Sequence, residues 1–245
     1  MKLKDGNGSS IFEKGFQVLT DVSGAAASGR LLEEVLQLAV TVAAQALGSK
    51  ICSVMLLDSA TNMLSVAATQ STSDAYRRKP SIRMAQSLSG RTVLEKKPLM
   101  VKDVRADNRF GFPTIAASEG LVSLLSVPMF FRGKVIGVLN SYTDRERVFT
   151  PEEVSLLQAV ANQCASAVAC AQILSEKAAA EEALAARKTV DRAKALLMKN
   201  RGMSEPEAHR EMQKQSMNRC KPLKEIAEAI LLAEDIGHPR ESGLR

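Results

Sequence analysis

Residues 123–142, SLLSVPMFF-RG-KVIGVLNSY, decide the fold. Two runs rich in Val, Leu, Phe and Tyr are parted by Arg132-Gly133 alone, which leaves room only for a tight turn between antiparallel neighbours. Proline cannot donate a ladder hydrogen bond, so Pro128 predicts an edge or bulge position in the first arm. Upstream, Ile51 to Leu57, Met63 to Ala68 and Leu99 to Val101 are short β-rich runs bounded by turn residues, so the hairpin has a sheet to join. Ser87 to Glu95 predicts a helix entered through Ser89-Gly90. Residues 11–48 carry two helical patterns separated at Ser23 to Gly29, the second with the stripe Leu31, Leu32, Val35, Leu36, Leu38, Ala39 and Val42. The predicted class is α+β, an antiparallel sheet flanked by helices.

From Thr150 onward the pattern is helical. The segment TPEE offers Thr150 as N-cap, Pro151 at the first helical position and Glu153 at the third. Apolar residues recur at Leu157, Val160, Cys164, Ala167, Ala171, Leu174 and Ala178, the alternating three and four spacing of a coiled-coil seam. A second seam, one residue out of step, runs through Ala179, Ala183, Ala186, Val190, Ala193 and Leu197. The phase slips near 175–182, SEKAAAEE, which predicts a long linking helix whose supercoil must adjust there. Asn200-Arg201-Gly202 ends it. Ser204-Glu205-Pro206-Glu207 starts another helix, Lys221-Pro222 breaks that one, and a third spans Leu223 to Asp235. Ala193, Leu197, Met198, Ala208, Met217, Leu223 and Ile226 are the expected core of this three-helix module. So small a core favours packing against a second copy. The expected division is a flexible start at 1–9, a sheet domain at 10–174, a helical linker or coiled coil at 175–183, the helical module at 184–236 and a flexible tail at 237–245.

Composition narrows the chemistry. A chain of 245 residues with 45% apolar content can bury a proper core, and its charge of +6 permits an anionic partner. No uninterrupted apolar run reaches the ~18 residues a bilayer span needs, and MKLKDGNGSS lacks the apolar centre of a secretory signal. A cytoplasmic location without membrane attachment is expected. Cys52, Cys164, Cys170 and Cys220 show no metal-ligand spacing and read as free thiols. There is no GKS/T phosphate loop, GxSxG elbow, HExxH or dinucleotide fingerprint, and Asp103 and Asp107 sit in a turn-rich loop, so no enzyme is expected.

Basic residues cluster twice. Between Arg187 and Arg201 stand Arg187, Lys188, Arg192, Lys194, Lys199 and Arg201 against Asp191 alone. Arg210, Lys214, Arg219, Lys221 and Lys224 follow with only Glu211 opposing until Glu225. Residues 176–245 hold 14 basic and 12 acidic side chains, so distribution rather than net charge must carry any argument for phosphate contacts. No Phe, Tyr or Trp follows Phe149, leaving His209 and arginine planes as the stacking groups.

Two resemblances organise these features. LLEEVLQLAV, SVMLLD, SLSGRTVLEKKPLMVKDVRADNRF, LLSVPMFFRGKVIGVLNSY and FTPEEVSLLQAVANQCASAV resemble the GAF domain family in order and spacing from Leu31 to about Leu174. The likeness implies a sensor domain with a small-molecule pocket on one sheet face. RKTVDRAKALLM, RGMSEPEAH, SMNR and KPLKEIA, within Leu184 to Ile230, resemble the ANTAR family of AmiR and NasR type antitermination regulators. That implies binding, usually as a homodimer, to paired hairpins in nascent mRNA, so that a terminator cannot form. The chain departs from the family pattern at Ala195, His209, Gln213 and Ser216.

Arg187, Lys194, Arg201, Arg210 and Lys214 are the candidate RNA contacts. Strand parity and loop position nominate Met55, Leu57, Tyr76, Met84, Phe110 and Phe112 for a pocket that takes an unidentified small-molecule effector. His209 and His238 both lie outside the GAF-like region, which argues against an axial-histidine haem, and no cysteine precedes a histidine as bilin attachment would require. No cofactor is assigned. The competing readings are a dimeric small-molecule sensor whose terminal helices dock a protein partner, and a helical bundle that binds duplex DNA.

Overall fold

The computed structural model describes residues 8–237. The flexible ends expected at 1–9 and 237–245 fall outside that range except for Gly8, Ser9 and Gly237, which are helical. The chain forms two compact units, Met1–Gln172 and Ile173–Arg245.

In the first unit, α1 (Gly8–Ala27) and α2 (Leu32–Leu47) precede β1 (Ile51–Asp58) and β2 (Met63–Thr69). Three short elements follow: α3 (Asp74–Arg77), β3 (Ile82–Arg83) and a single 3-10 turn at Met84–Gln86. Then come α4 (Leu88–Glu95), β4 (Leu99–Val101) and α5 (Pro113–Glu119). The hairpin of β5 (Ser123–Phe131) and β6 (Lys134–Thr143) leads into α6 (Pro151–Arg201). The sheet is antiparallel throughout, in the order β3-β2-β1-β6-β5-β4.

Pro128 has both properties its ring demands. Pairing of β4 with β5 ends at Leu99 and Ser126, so Pro128 lies where β5 has no outer neighbour, and the bulge falls one step further on, between Met129 and Phe130. The break between α1 and α2 comes later than the Ser23 to Gly29 reading, because Val22 and Ala25 are buried and hold the helix to Ala27. Likewise α4 is entered at Ser87, whose hydroxyl accepts from the Gly90 N–H at 2.9 Å. Gly90 serves another purpose: a Cβ there would lie 1.8 Å from the Met84 carbonyl oxygen.

The two sheet faces are different in kind. Cys52, Val54, Leu125, Val127, Met129 and Leu139 face α1, α2 and the first third of α6 in the largest core. Thr150 starts α6 as expected: its N–H donates to Glu153 Oε2 at 2.9 Å, and the Glu153 N–H donates to Thr150 Oγ1 at 3.3 Å. Arg147 pairs with Glu153 and donates to the Leu47 carbonyl at 2.7 Å, tying that start to the end of α2. The opposite face is covered by α3, α4, α5 and their loops around Ile51, Tyr76, Leu88, Val104, Leu124 and Tyr142.

One helix contains both predicted seams, but neither is mainly a coiled coil. Leu157, Val160 and Cys164 are buried in the sheet domain's core, while Ala193 and Leu197 are buried in the second unit. The phase slip near 175–182 is where the helix stops serving one core and starts serving the other. The middle of α6 is uncovered, with Ile173, Leu174 and Leu184 about half exposed. By length and mean hydropathy (1.3 over its best window) α6 could cross a membrane, but the apolar side chains of its first third are used in the sheet domain.

In the second unit, the end of α6 packs with α7 (Glu205–Arg219) and α8 (Leu223–Gly237). A capping box joins Ser204 and Glu207 at the start of α7, and Gly202, at φ 64°, makes the turn that ends α6. Ala193, Leu197, Ala208, Met212, Ile226 and Ala227 form its core, with Leu223 half-buried. Two expected core residues are instead exposed, Met198 at 39% and Met217 at 72%, because no helix of the unit covers their faces. Of the four thiols, Cys52 and Cys164 are buried and Cys170 and Cys220 exposed. Burial pushes both Cys52 and Cys164 up to about 12.

Candidate functional site

The basic residues of the second unit fall into three groups. Arg201, Arg210 and Lys214 converge on an open groove of about 480 Å³, which they line with Gly202, Met203, Glu207 and Glu211. The reverse turn at Gly202 brings the end of α6 beside the first turns of α7, which is why residues far apart in sequence meet. The groove's carboxylates are already engaged. Glu207 accepts from the Ser204 N–H at 2.8 Å and hydroxyl at 2.6 Å, which hold it below the usual carboxylate range, and Glu211 accepts from Gln215 at 3.0 Å.

Lys194 belongs to a second group. Its Nζ lies 2.8 Å from both Asp191 and Glu205, its side chain is only 16% exposed, and the two carboxylates raise its pKa. It tethers α6 to the start of α7 instead of offering a free charge. Arg187 is exposed on α6 but stands fourteen residues before Arg201, roughly 21 Å along the helix axis, and so lies outside the groove.

The third group went unnominated. Lys188, Arg192 and Lys199 recur at helical spacing on the side of α6 away from Ala193 and Leu197, and all three are exposed. The signal was present in their i, i+4, i+11 spacing. Among the described residues, Arg187, Lys188, Arg192, Lys199, Arg201, Arg210, Lys214 and Arg219 have no carboxylate partner, whereas Lys177, Lys194, Lys221 and Lys224 do.

The nominated pocket residues of the first unit separate in the same way. Met55, Phe110 and Phe112 line one small void with Lys79, Ile82, Ser87, Leu88, Ser89, Gly111 and Tyr142. Leu57 and Met84 instead pack with Met55 on Leu64, Val93 and Val138. Tyr76 is buried, with its hydroxyl 2.9 Å from Ser53 Oγ and its ring edge-on to Tyr142 at 6.2 Å. Burial holds both tyrosines above their usual range. The void is about 20 Å³, room for about one water.

Beneath α4, the register aligns Ser53, Asn140 and Ser126 across the three central strands. All three are buried on the face shared with Met55 and Tyr142. The Ser89 hydroxyl donates to Asn140 Oδ1 at 3.3 Å, and neither Asn140 Nδ2 nor Ser126 Oγ has a partner among the described residues. Lys79 also escaped the sequence reading, because Arg77-Arg78-Lys79 looks like a surface basic run. Arg77 and Arg78 are indeed exposed, but Lys79 is 9% exposed, its Nζ 4.1 Å from the Tyr76 ring centre.

Asp103 and Asp107 close turns, as their loop suggested. Each accepts from the backbone N–H and the guanidinium of the arginine two residues on, Arg105 and Arg109, which draws both carboxyls down to about 2.

Comparison with known proteins follows the same division. A family model of the GAF domain matches residues 29–169, and one of the ANTAR domain matches residues 178–231. Transcriptional regulatory protein PdtaR of Mycobacterium tuberculosis is 27% identical over 152 residues, 61% of this chain and 73% of PdtaR. The GAF domain of a phosphoenolpyruvate-protein phosphotransferase (ptsP) from Coxiella burnetii is similar with a TM-score of 0.61 at 20% identity, over 67% of this chain and 98% of its own. Free methionine-R-sulfoxide reductase from Neisseria meningitidis gives 0.55 at 20% identity, over 68% and 94%. At those identities the two structures speak for the fold alone. The sheet with its two unlike faces, the helical module that follows it in the sequence and both family matches agree: the chain belongs to the GAF domain family, and its GAF domain is followed by an ANTAR domain.

Proposed function

We propose that this chain is a cytoplasmic, non-enzymatic transcription antitermination regulator that binds hairpins in nascent mRNA through its ANTAR domain, under control of the GAF domain. The observation that carries this reading is the set of eight exposed basic side chains of the second unit without carboxylate partners among the described residues. Unpaired surface cations suit phosphate, because binding releases counterions without first breaking an ion pair. The ANTAR match and the likeness to a transcriptional regulatory protein supply the class of target.

Arg201, Arg210 and Lys214 are the proposed groove contacts, Lys188, Arg192 and Lys199 a second phosphate track, and Arg187 a flanking contact. Lys194 acts on binding by holding α6 to α7. Ile173, Leu174 and Leu184 are the proposed dimer contacts, as the largest apolar side chains on the uncovered middle of α6. A signal in the GAF domain then changes how two ANTAR domains are presented to paired hairpins.

Gel-shift titration with a transcript carrying tandem hairpins, over a series of salt concentrations, tests the reading. The wild type should weaken steeply with salt, and Arg210→Ala with Lys214→Ala should flatten the slope. Binding insensitive to salt, or unchanged in the double variant, would sink the assignment. The protein-docking alternative has one observation in its favour, a cleft of about 420 Å³ floored by Leu197, Met212, Ile226 and Ile230. Such a partner would stay bound at high salt.

A further inference from the structure

Lys79 has no partner for its charge. Its side chain is buried, desolvation alone lowers it from 10.5 to about 8, and neither an ion pair nor a hydrogen bond offsets that among the described residues. The Tyr76 face at 4.1 Å and the Phe112 face at 5.6 Å favour a cation there, but they supply no anion. Buried charges are ordinarily paired, so a cation left this way in a sensor domain marks a place for a charge brought from outside.

The second observation is independent of the first. Ser89, which lines the same void as Lys79, bonds Asn140, and Asn140 Nδ2 and Ser126 Oγ lie buried and unsatisfied in the middle of that sheet face. Orphaned buried polar atoms are uncommon enough to need a reason, and a ligand's oxygens would provide one. Besides Ser87 and Gly111, the remaining walls are largely apolar: Met55, Ile82, Leu88, Phe110, Phe112 and Tyr142.

We propose that this face of the GAF sheet binds a small organic monocarboxylate with an apolar body, with Lys79 as its counter-charge and Ser89, backed by the unsatisfied Asn140 and Ser126 side chains behind it, as its hydrogen-bond partner. The inference rests on the sensor reading above and names the class of its signal. One buried cation matches one negative charge; a phosphate dianion would leave charge uncompensated in a dry site. With only about 20 Å³ open, the ligand must part the segments over the sheet to enter, so occupancy changes the packing of Lys79, Ile82, the Ser87–Ser89 start of α4 and the 110–112 segment.

The test titrates the full chain with benzoate, phenylacetate and hexanoate, each beside its primary amide, and with inorganic phosphate, by calorimetry and thermal shift at neutral pH. At least one acid should bind and raise Tm, with its amide at least tenfold weaker. Lys79→Met, which removes an unpaired buried cation, should melt above the unliganded wild type yet lose acid binding at least tenfold. The inference is overturned if no acid binds, if Lys79→Met binds like the wild type, if phosphate is the only ligand, or if Lys79→Met melts lower because the ammonium is structural. An amide that binds as tightly as its acid removes the charge assignment and leaves the sensor reading standing. An acid that binds through Lys79 without changing RNA affinity leaves the site standing and removes the sensor reading.

Discussion

Met212→Ala should destabilise the ANTAR domain and spare the GAF domain. Met212 is fully buried at the centre of a six-residue core in which three members, Ala193, Ala208 and Ala227, contribute little more than a methyl group each. Truncating a buried methionine costs about 2–5 kcal/mol, the upper part of that range coming from a closed cavity left behind. Here Met212 borders the open cleft of about 420 Å³, so the vacated space joins solvent and the lower part applies, about 2–3 kcal/mol. A module this small holds only about 3–5 kcal/mol in its core, so about half its stability or more goes. Peptide-resolved hydrogen exchange is the assay. Amides of α7 and α8 that exchange through unfolding of the module should do so about 30- to 150-fold faster, at tenfold per 1.4 kcal/mol, while β1, β5 and β6 keep their protection. Unchanged protection in α7 and α8, or an equal loss in both units, would refute the reasoning.

Three more outcomes follow from the geometry. Alanine at Arg201, Arg210 and Lys214 together should lower the salt slope of RNA binding by about 2 to 3, close to one contact for each side chain; a slope unchanged in the triple variant refutes the groove. Lys79 makes the GAF domain less stable at neutral than at alkaline pH. Its folded pKa of about 8 lies below its ordinary 10.5, so at this group the unfolded chain binds more protons between those values, and the contribution of Lys79 to stability rises with pH across that window, by about 3 kcal/mol at 1.36 per unit. Cys52 and Cys164, which burial pushes up to about 12, oppose this rise once they begin to ionise in the unfolded chain near pH 9, and Tyr76 and Tyr142, held above their usual range, oppose it from about pH 10. Denaturant titrations from pH 8 to 9.5 should therefore show wild-type stability rising relative to Lys79→Met, in which the thiols and tyrosines act alone; parallel curves would count against it. Gly90→Ala should cost about 1–3 kcal/mol or more by thermal melt, since backbone must move to admit the methyl.

The hairpin was legible because a two-residue connection leaves few alternatives, and the capping residues Thr150, Glu153, Ser204 and Glu207 were legible because their chemistry is local. Some of the shortest elements were not, although β2 and β4 were read from their β-rich runs. α3, β3 and α5 carry no periodicity long enough to read, and they are held by packing of single residues such as Tyr76 and Ala116. The two seams of α6 were visible as spacing, but spacing does not say what covers a stripe. Met198 and Met217 were assigned to the core for the same reason, since pattern alone does not show where neighbouring helices end. Within the candidate RNA surface, sequence located the basic clusters but could not separate Lys194, which two carboxylates hold, from Arg210 and Lys214, which are open. Lys79 was hidden because a basic tripeptide gives no sign that only its last member turns inward.

The unequal burial of the four cysteines makes the natural chain ready for site-selective labelling. Thiolate is the reactive form, and with Cys52 and Cys164 pushed up to about 12 almost none of either is present near neutral pH. Cys170, in the GAF unit, and Cys220, at the end of α7, are exposed. A maleimide fluorophore pair or two nitroxides would therefore report the distance between the domains with and without effector, in a protein that needs no introduced or deleted cysteine.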